Sequence, residues 1–153
     1  NLCLQPSALL DPPGKEGLAN LTADLLVEGT QTRSSTQIAE ELEMIGAQYG
    51  SHTDWKAVYV EVNTLERHLE TALEILADMI LQPAFPQKEF TRLQRELITE
   101  RLRVVDNPAK MAAEYFVHFL YEGMRYAFPI EGSQDSLHNI LSSDVLKFYQ
   151  KHF

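Results

Sequence analysis

Asn20, Ala23 and Asp24 fall within a segment whose leucines recur at helical spacing, so the Asn20 amide and the Asp24 carboxylate share one face. Two side chains at i and i+4 are spaced so that one helix can grip a divalent cation. The residue types work against it. A neutral amide is a weak zinc ligand, and Asp24 offers a carboxylate on a short stem. The Ala23 methyl can neither accept a proton nor orient a water. A residual metal contact competes with a plainer reading, in which Asn20 and Asp24 are polar positions on a half-buried helix.

Other chemistries find little support. His52, His68, His118, His138 and His152 include no pair at metal-ligand spacing on one helix, and none pairs locally with a cysteine. Cys3 is the only cysteine, so no internal disulfide can form, and the redox compartment and location stay open. There is no Gly-x-Ser-x-Gly elbow, and Gly14-Lys15-Glu16-Gly17 lacks the spacing of a phosphate loop. The 153 residues carry 22 acidic against 13 basic side chains, a net charge of −9, which argues against nucleic acid as a partner. At 44% hydrophobic and 23% charged, the composition is that of a globular chain with a real core. No apolar run approaches the roughly 20 residues of a membrane helix.

The elements that must position these residues are legible from pattern. Asn1 to Leu10 reads as a strand ended by the turn cluster Asp11-Pro12-Pro13-Gly14. A helix over about Glu16 to Val27 puts Leu18, Leu21, Leu25 and Leu26 on one face. Ser34 with Gln37 fits a capping box for a second helix, with Ile38, Leu42 and Ile45 inward and Gly46 as its stop. Ala47 to Thr53 and Trp55 to Asn63 form a hairpin, the second strand alternating Val58, Val60 and Val62 with Tyr59 and Glu61. A third helix spans about Glu66 to Leu81 with Leu69, Leu73, Leu76 and Ile80 inward. A fourth starts near Pro86 and runs through Phe90, Leu93, Leu97 and Val104 to the break at Asp106-Asn107-Pro108. A fifth, about Ala109 to Tyr121, carries Met111, Tyr115, Phe116, Phe119 and Leu120. A loop rich in Gly, Pro and aromatics and two short helices close the chain. Strands mixed with helix pairs predict an α/β (α+β) fold, helices packed on one face of a mostly antiparallel sheet.

The run Gly17-Leu18-Ala19-Asn20-Leu21-Thr22-Ala23-Asp24 resembles the motif of the pitrilysin/insulinase zinc peptidases, the inverzincins, in which a Gly-Leu-Ala lead-in precedes His-x-x-Glu-His. Asn20 and Asp24 stand at the two histidines and Ala23 at the glutamate, so the motif is degenerate. Thr30 to Ser34, Ile38 to Gly46 and Leu76 to Phe85 resemble the segments that follow in that family, in order and at matching spacing. The resemblance covers nearly the whole chain, residues 1–153 as one domain with the half-domain fold shared with mitochondrial processing peptidase. It implies flanking strands at both ends beyond those present here.

The resemblance implies further site positions. The family's third zinc ligand falls on Glu100 or Arg101, with Glu96 as a neighbouring carboxylate. The competing reading is that Glu96, Glu100, Arg95 and Arg101 form a solvated, ion-paired helix face. Tyr49-Gly50-Ser51-His52-Thr53 resembles the strand that pairs with extended peptide substrate, so Gly50, Ser51 and His52 are candidate substrate contacts beside the alternative of an ordinary strand end. Tyr121 to Tyr126 resembles a Gly-His-Pro-Tyr loop with Met124 and Arg125 at the His and Pro. The leading expectation is a non-catalytic domain or subunit of an insulinase-like peptidase that helps form a peptide-binding chamber. It would hold no metal or cofactor, zinc being confined to an intact homologous half or partner. The rivals are a scaffold like the core subunits of the respiratory bc1 complex, and an active peptidase with an atypical site at Asp24 and Glu100. Either a homologous catalytic partner or self-association is expected, through strand edges near Asn1–Leu10 or Trp55–Asn63.

Overall fold

Val58, Val60 and Val62 alternate with Tyr59 and Glu61, and this period-two run becomes the central strand of the sheet. The computed structural model describes residues 2–153. β3 (Val58–Asn63) pairs antiparallel with β2 (Gln48–Thr53) on one side and with β1 (Leu2–Leu4) on the other, giving the order β1-β3-β2. Val58 and Val60 are fully buried, and alternation puts Tyr59 and Glu61 on the opposite face. Asp54 closes the hairpin: its carboxylate accepts from the backbone N–H of Lys56 and Ala57 at 2.6 and 2.7 Å. Those two bonds leave the turn little freedom of register.

Two strand expectations change. The first strand covers only Leu2–Leu4, after which Pro6 removes a donor and Ala8–Leu10 winds into a 3-10 turn; Asn1 lies outside the described residues. The Trp55–Asn63 segment is no open edge, because β3 has a partner on both sides. Among the described residues the edges are β2 and β1.

Seven helices follow from the predicted pattern: α1 (Leu18–Leu26), α2 (Ser35–Met44), α3 (Leu69–Leu81), α4 (Gln87–Val104), α5 (Pro108–Leu120), α6 (Gln134–Asn139) and α7 (Ser142–His152). Both bonds of the Ser34–Gln37 capping box form. Pro86 precedes α4, and the Asn107 side chain caps α5, whose first residue is Pro108. Helices packed on an antiparallel sheet are the architecture the sequence predicts.

The inward face of α3 is a correction. Leu69 and Leu73 are 49% and 52% exposed, whereas Ala72, Ile75 and Met79 are buried. Ile75 and Met79 pack against Ile38 and Leu42 of α2, while Ile80 and the half-buried Leu76 reach Val58 and Val60 of β3. Two apolar stripes run side by side on α3, both at helical spacing. The one containing the small Ala72 faces the core, where a short side chain lets neighbouring elements approach closely.

The two ends of the chain are tied by a backbone crossing. Gly17, just before α1, has φ +97°, and Gly132, just before α6, has φ +85°. A Cβ on Gly132 would lie 2.2 Å from the Glu16 carbonyl oxygen, and one on Gly17 2.6 Å from that of Glu131. Ser136 Oγ donates to the same Glu16 oxygen at 2.8 Å. Gly132→Ala is therefore expected to cost about 2–4 kcal/mol, from both left-handed backbone and clash. Gly14→Ala, with φ +78° but open space around its Cβ, should cost about 1 kcal/mol. Urea denaturation of both variants checks this, and equal losses would contradict the crossing.

Candidate functional site

α1 is the pillar on which the site stands. Leu18, Ala19, Leu21, Thr22, Ala23, Leu25 and Leu26 are all buried, leaving Asn20 and Asp24 as its half-buried positions. A helix enclosed on so many sides must satisfy its first N–H groups internally. Gly17 at the cap has no side chain to do so. Asp11, further back in the turn cluster, does it instead: its carboxylate accepts from Gly17 N at 2.9 Å and Ala19 N at 2.7 Å. Burial nevertheless raises the Asp11 pKa to about 6, against the pull of those two N–H groups and the Arg125 charge. Capping rules read from sequence look one residue before a helix, so this role of Asp11 had no local signal.

The three motif positions face different surroundings. Ala23 is fully buried with Leu26, Val58, Val60 and Ile80 in an apolar cluster. Asn20 and Asp24 are brought together, Asn20 Nδ2 donating to Asp24 Oδ2 at 3.1 Å. The other oxygen, Oδ1, accepts from Ser51 Oγ of β2 at 2.9 Å. Both carboxylate oxygens therefore have protein partners. Burial raises the Asp24 pKa to about 6; the Ser51 bond lowers it, while the charges of Glu28 and Glu100 add to the rise.

That coupling distinguishes the two residues at the predicted third-ligand position. Glu100 is close enough to Asp24 for its charge to be felt. Arg101 is instead committed to Glu114 of α5, with Nη1 at 3.0 Å from Oε1. Glu96 is turned to Arg92, which also binds Glu89 and Glu28, while among the described residues Arg95 and Glu100 make no ion pair. The groups shown around Asp24 are thus the Asn20 amide, the Ser51 hydroxyl and the charges of Glu28 and Glu100. Among the described residues no group of three or more His, Cys, Asp or Glu side chains is arranged to hold a metal ion.

The residues on β2 divide by face. Ser51 stands opposite Val60 and points to α1, where its hydroxyl is engaged by Asp24. His52 stands opposite Tyr59 and stacks on it, ring centroids 4.5 Å apart and planes at 7°. A Cβ on Gly50 would meet nothing within 4 Å. Of the three candidate contacts, then, Ser51 is occupied within the chain, and Gly50 and His52 lie on the opposite face of an edge strand.

The sequence model of the insulinase peptidases, peptidase family M16, matches residues 2–133. The chain belongs to the insulinase family. Relatives described as uncharacterized zinc proteases occur in Rickettsia bellii, 28% identical over 153 residues, and in Bacillus subtilis, 24% identical over 144 residues. The insulinase-family chain spans 37% of the first and 35% of the second, with 100% and 94% of its own length aligned. Among solved structures, a peptidase M16 inactive domain from Pseudomonas fluorescens superposes with a TM-score of 0.89 at 24% identity, covering 95% of this chain and 36% of that one. A protease from Helicobacter pylori superposes with 0.87 at 21% identity, covering 98% and 37%. Both carry the same fold.

Asp24 gives the site a pH signature. Its folded pKa lies above the ordinary 3.8, so it contributes stability that is fully present below pH 3.8 and lost as pH rises through about 6. Asp24→Asn removes this dependence. The stability of the parent relative to that variant is expected to fall by about 2 kcal/mol between pH 3.5 and 7.5. Denaturant titrations at the two pH values measure the change, and a difference independent of pH would show that the carboxylate is not held as described.

Proposed function

We propose that this chain is a non-catalytic domain of an insulinase-family peptidase, contributing wall and binding surface to a peptide chamber instead of bond chemistry. The observation that carries the reading is the surroundings of the motif. Ala23, at the position of the general base, is sealed among Leu26, Val58, Val60 and Ile80, and Asp24 accepts from both Asn20 and Ser51. A catalytic zinc needs three protein ligands and an open position for water. An amide and a carboxylate already engaged offer neither. The fold of the Pseudomonas fluorescens inactive domain is in keeping with this reading.

A domain without bond chemistry still affects rate by positioning substrate. β2 is the strand suited to it, since its outer edge is unpaired among the described residues and an extended peptide adds to an edge by main-chain hydrogen bonds. In this reading His52, stacked on Tyr59, borders such a peptide, and Gly50 leaves room for its side chains. Catalysis belongs to a homologous partner or half with an intact motif. One relative, the mouse mitochondrial-processing peptidase subunit beta, 23% identical over 137 residues, is itself a subunit, which supports a paired arrangement.

The test is a peptidase assay on the purified chain with unstructured peptides and added zinc. No cleavage above background is expected. Cleavage that a chelator abolishes, and that Asp24→Ala also abolishes, would establish an atypical active site and overturn the reading.

A further inference from the structure

α5 is unlike the other helices. None of its residues is buried, and Tyr115, Phe116 and Phe119 are 68%, 63% and 78% exposed. It leaves α4 at the Asp106-Asn107-Pro108 break and returns through the turn Arg125–Ala127 to the fixed crossing at Gly132. Behind it, between α4, α5 and the strap Ala127–Pro129, lies an open groove of about 380 Å³ lined by Val104, Met111, Tyr115, His118 and Phe128.

One residue reaches from this segment into the body. Arg125 places Nη1 2.8 Å from Glu16 Oε1 and Nη2 3.7 Å from Asp11 Oδ2. Both carboxylates are buried, and each already has backbone donors of its own: Gly17 and Ala19 for Asp11, and Gly14 at 3.0 Å for Glu16. The socket is thus built by residues 11–19 of the body alone, with two negative charges for one inserted guanidinium. Lys15 does not compete, being paired with Asp144. The guanidinium is incompletely satisfied, since its buried Nε has no hydrogen-bond partner among the described residues. A preformed socket and a partly satisfied insert make a contact that can open without unfolding either side.

We propose that α5 and the Arg125–Ala127 turn form a hinged arm, latched to the body by Arg125 in the Asp11–Glu16 socket, whose release, with parting of the Arg101–Glu114 pair, widens the groove between the arm and α4. The arm is also held by the Arg101–Glu114 ion pair, which joins the last turn of α4 to the middle of α5 across the groove, and by the tilted contact of Trp55 with Tyr126 at 5.0 Å. His118 Nδ1 and the Ala127 carbonyl, 3.1 Å apart, hold the arm to itself and let it move as one piece.

Hydrogen exchange of the intact chain at low denaturant tests this. Amides of Met111–Leu120 are expected to exchange at least about tenfold faster than those of Val58–Val62, through an opening that leaves the sheet closed. Arg125→Gln should speed the arm by about a further tenfold while β3 changes less than about twofold. Arm amides that exchange only as slowly as β3 would overturn the proposal. So would Arg125→Gln accelerating both regions alike or neither. If that variant does not fold, the comparison of arm and sheet in the unaltered chain decides alone.

Discussion

Burial of α1 on nearly every side governs the rest of this molecule. Seven of its nine residues are buried, and the helix contributes to two of the three clusters that make up the core. Its leucines meet Phe90 of α4, Leu137 of α6 and Val145 and Phe148 of α7, while Ala23 and Leu26 meet the sheet. A helix so enclosed has few places for polar atoms, and each must be satisfied from within. That requirement explains why a carboxylate as distant in sequence as Asp11 supplies the missing cap. It also explains why Asp24 accepts from both Asn20 and Ser51.

The same constraint gives the degenerate motif its chemical meaning. An alanine at position 23 extends the apolar surface that meets Val58 and Val60, so the sheet closes tightly over α1. A glutamate there would bring a charge into that contact, which burial penalises heavily unless it is paired. In the proposed reading, the absence of a proton acceptor at position 23 and the packing of the helix against β3 follow from the same alanine. Asp24 keeps a charge in the neighbourhood, and Glu28 and Glu100 make ionisation harder. Asp24, bonded to Asn20 on its own helix and to Ser51, makes a hydrogen-bonded joint between α1 and β2.

Much of this was legible in the sequence because it is local. The capping box at Ser34–Gln37, the alternation Val58–Val60–Val62, the proline before α4 and the Asn107-Pro108 start of α5 each depend on residues a few positions apart. The parts that were not legible are those settled by partners far along the chain. Periodicity cannot say which of two adjacent stripes on α3 meets α2, so Leu69 and Leu73 were placed inward when Ile75 and Met79 fill the core. Likewise β3 was placed at an edge because its second neighbour, β1, lies more than fifty residues upstream. Within the site, Asn20, Ala23 and Asp24 are identified by resemblance to the family motif, but the engagement of Asp24 by Ser51 joins residues 27 positions apart. Arg125, in a loop that resembles the family's Gly-His-Pro-Tyr loop, reaches back 109 residues to Glu16.

In the proposed reading α1 holds no zinc, because Asp24 is engaged by Asn20 and Ser51. Metal analysis of the purified chain, after dialysis against trace zinc and removal of free ion, tests it most directly. The expected result is zinc far below one equivalent per chain, unchanged by Asp24→Ala with Glu100→Ala. One equivalent of zinc that the double substitution abolishes would show that Asp24 and Glu100 bind metal, and would contradict the claim.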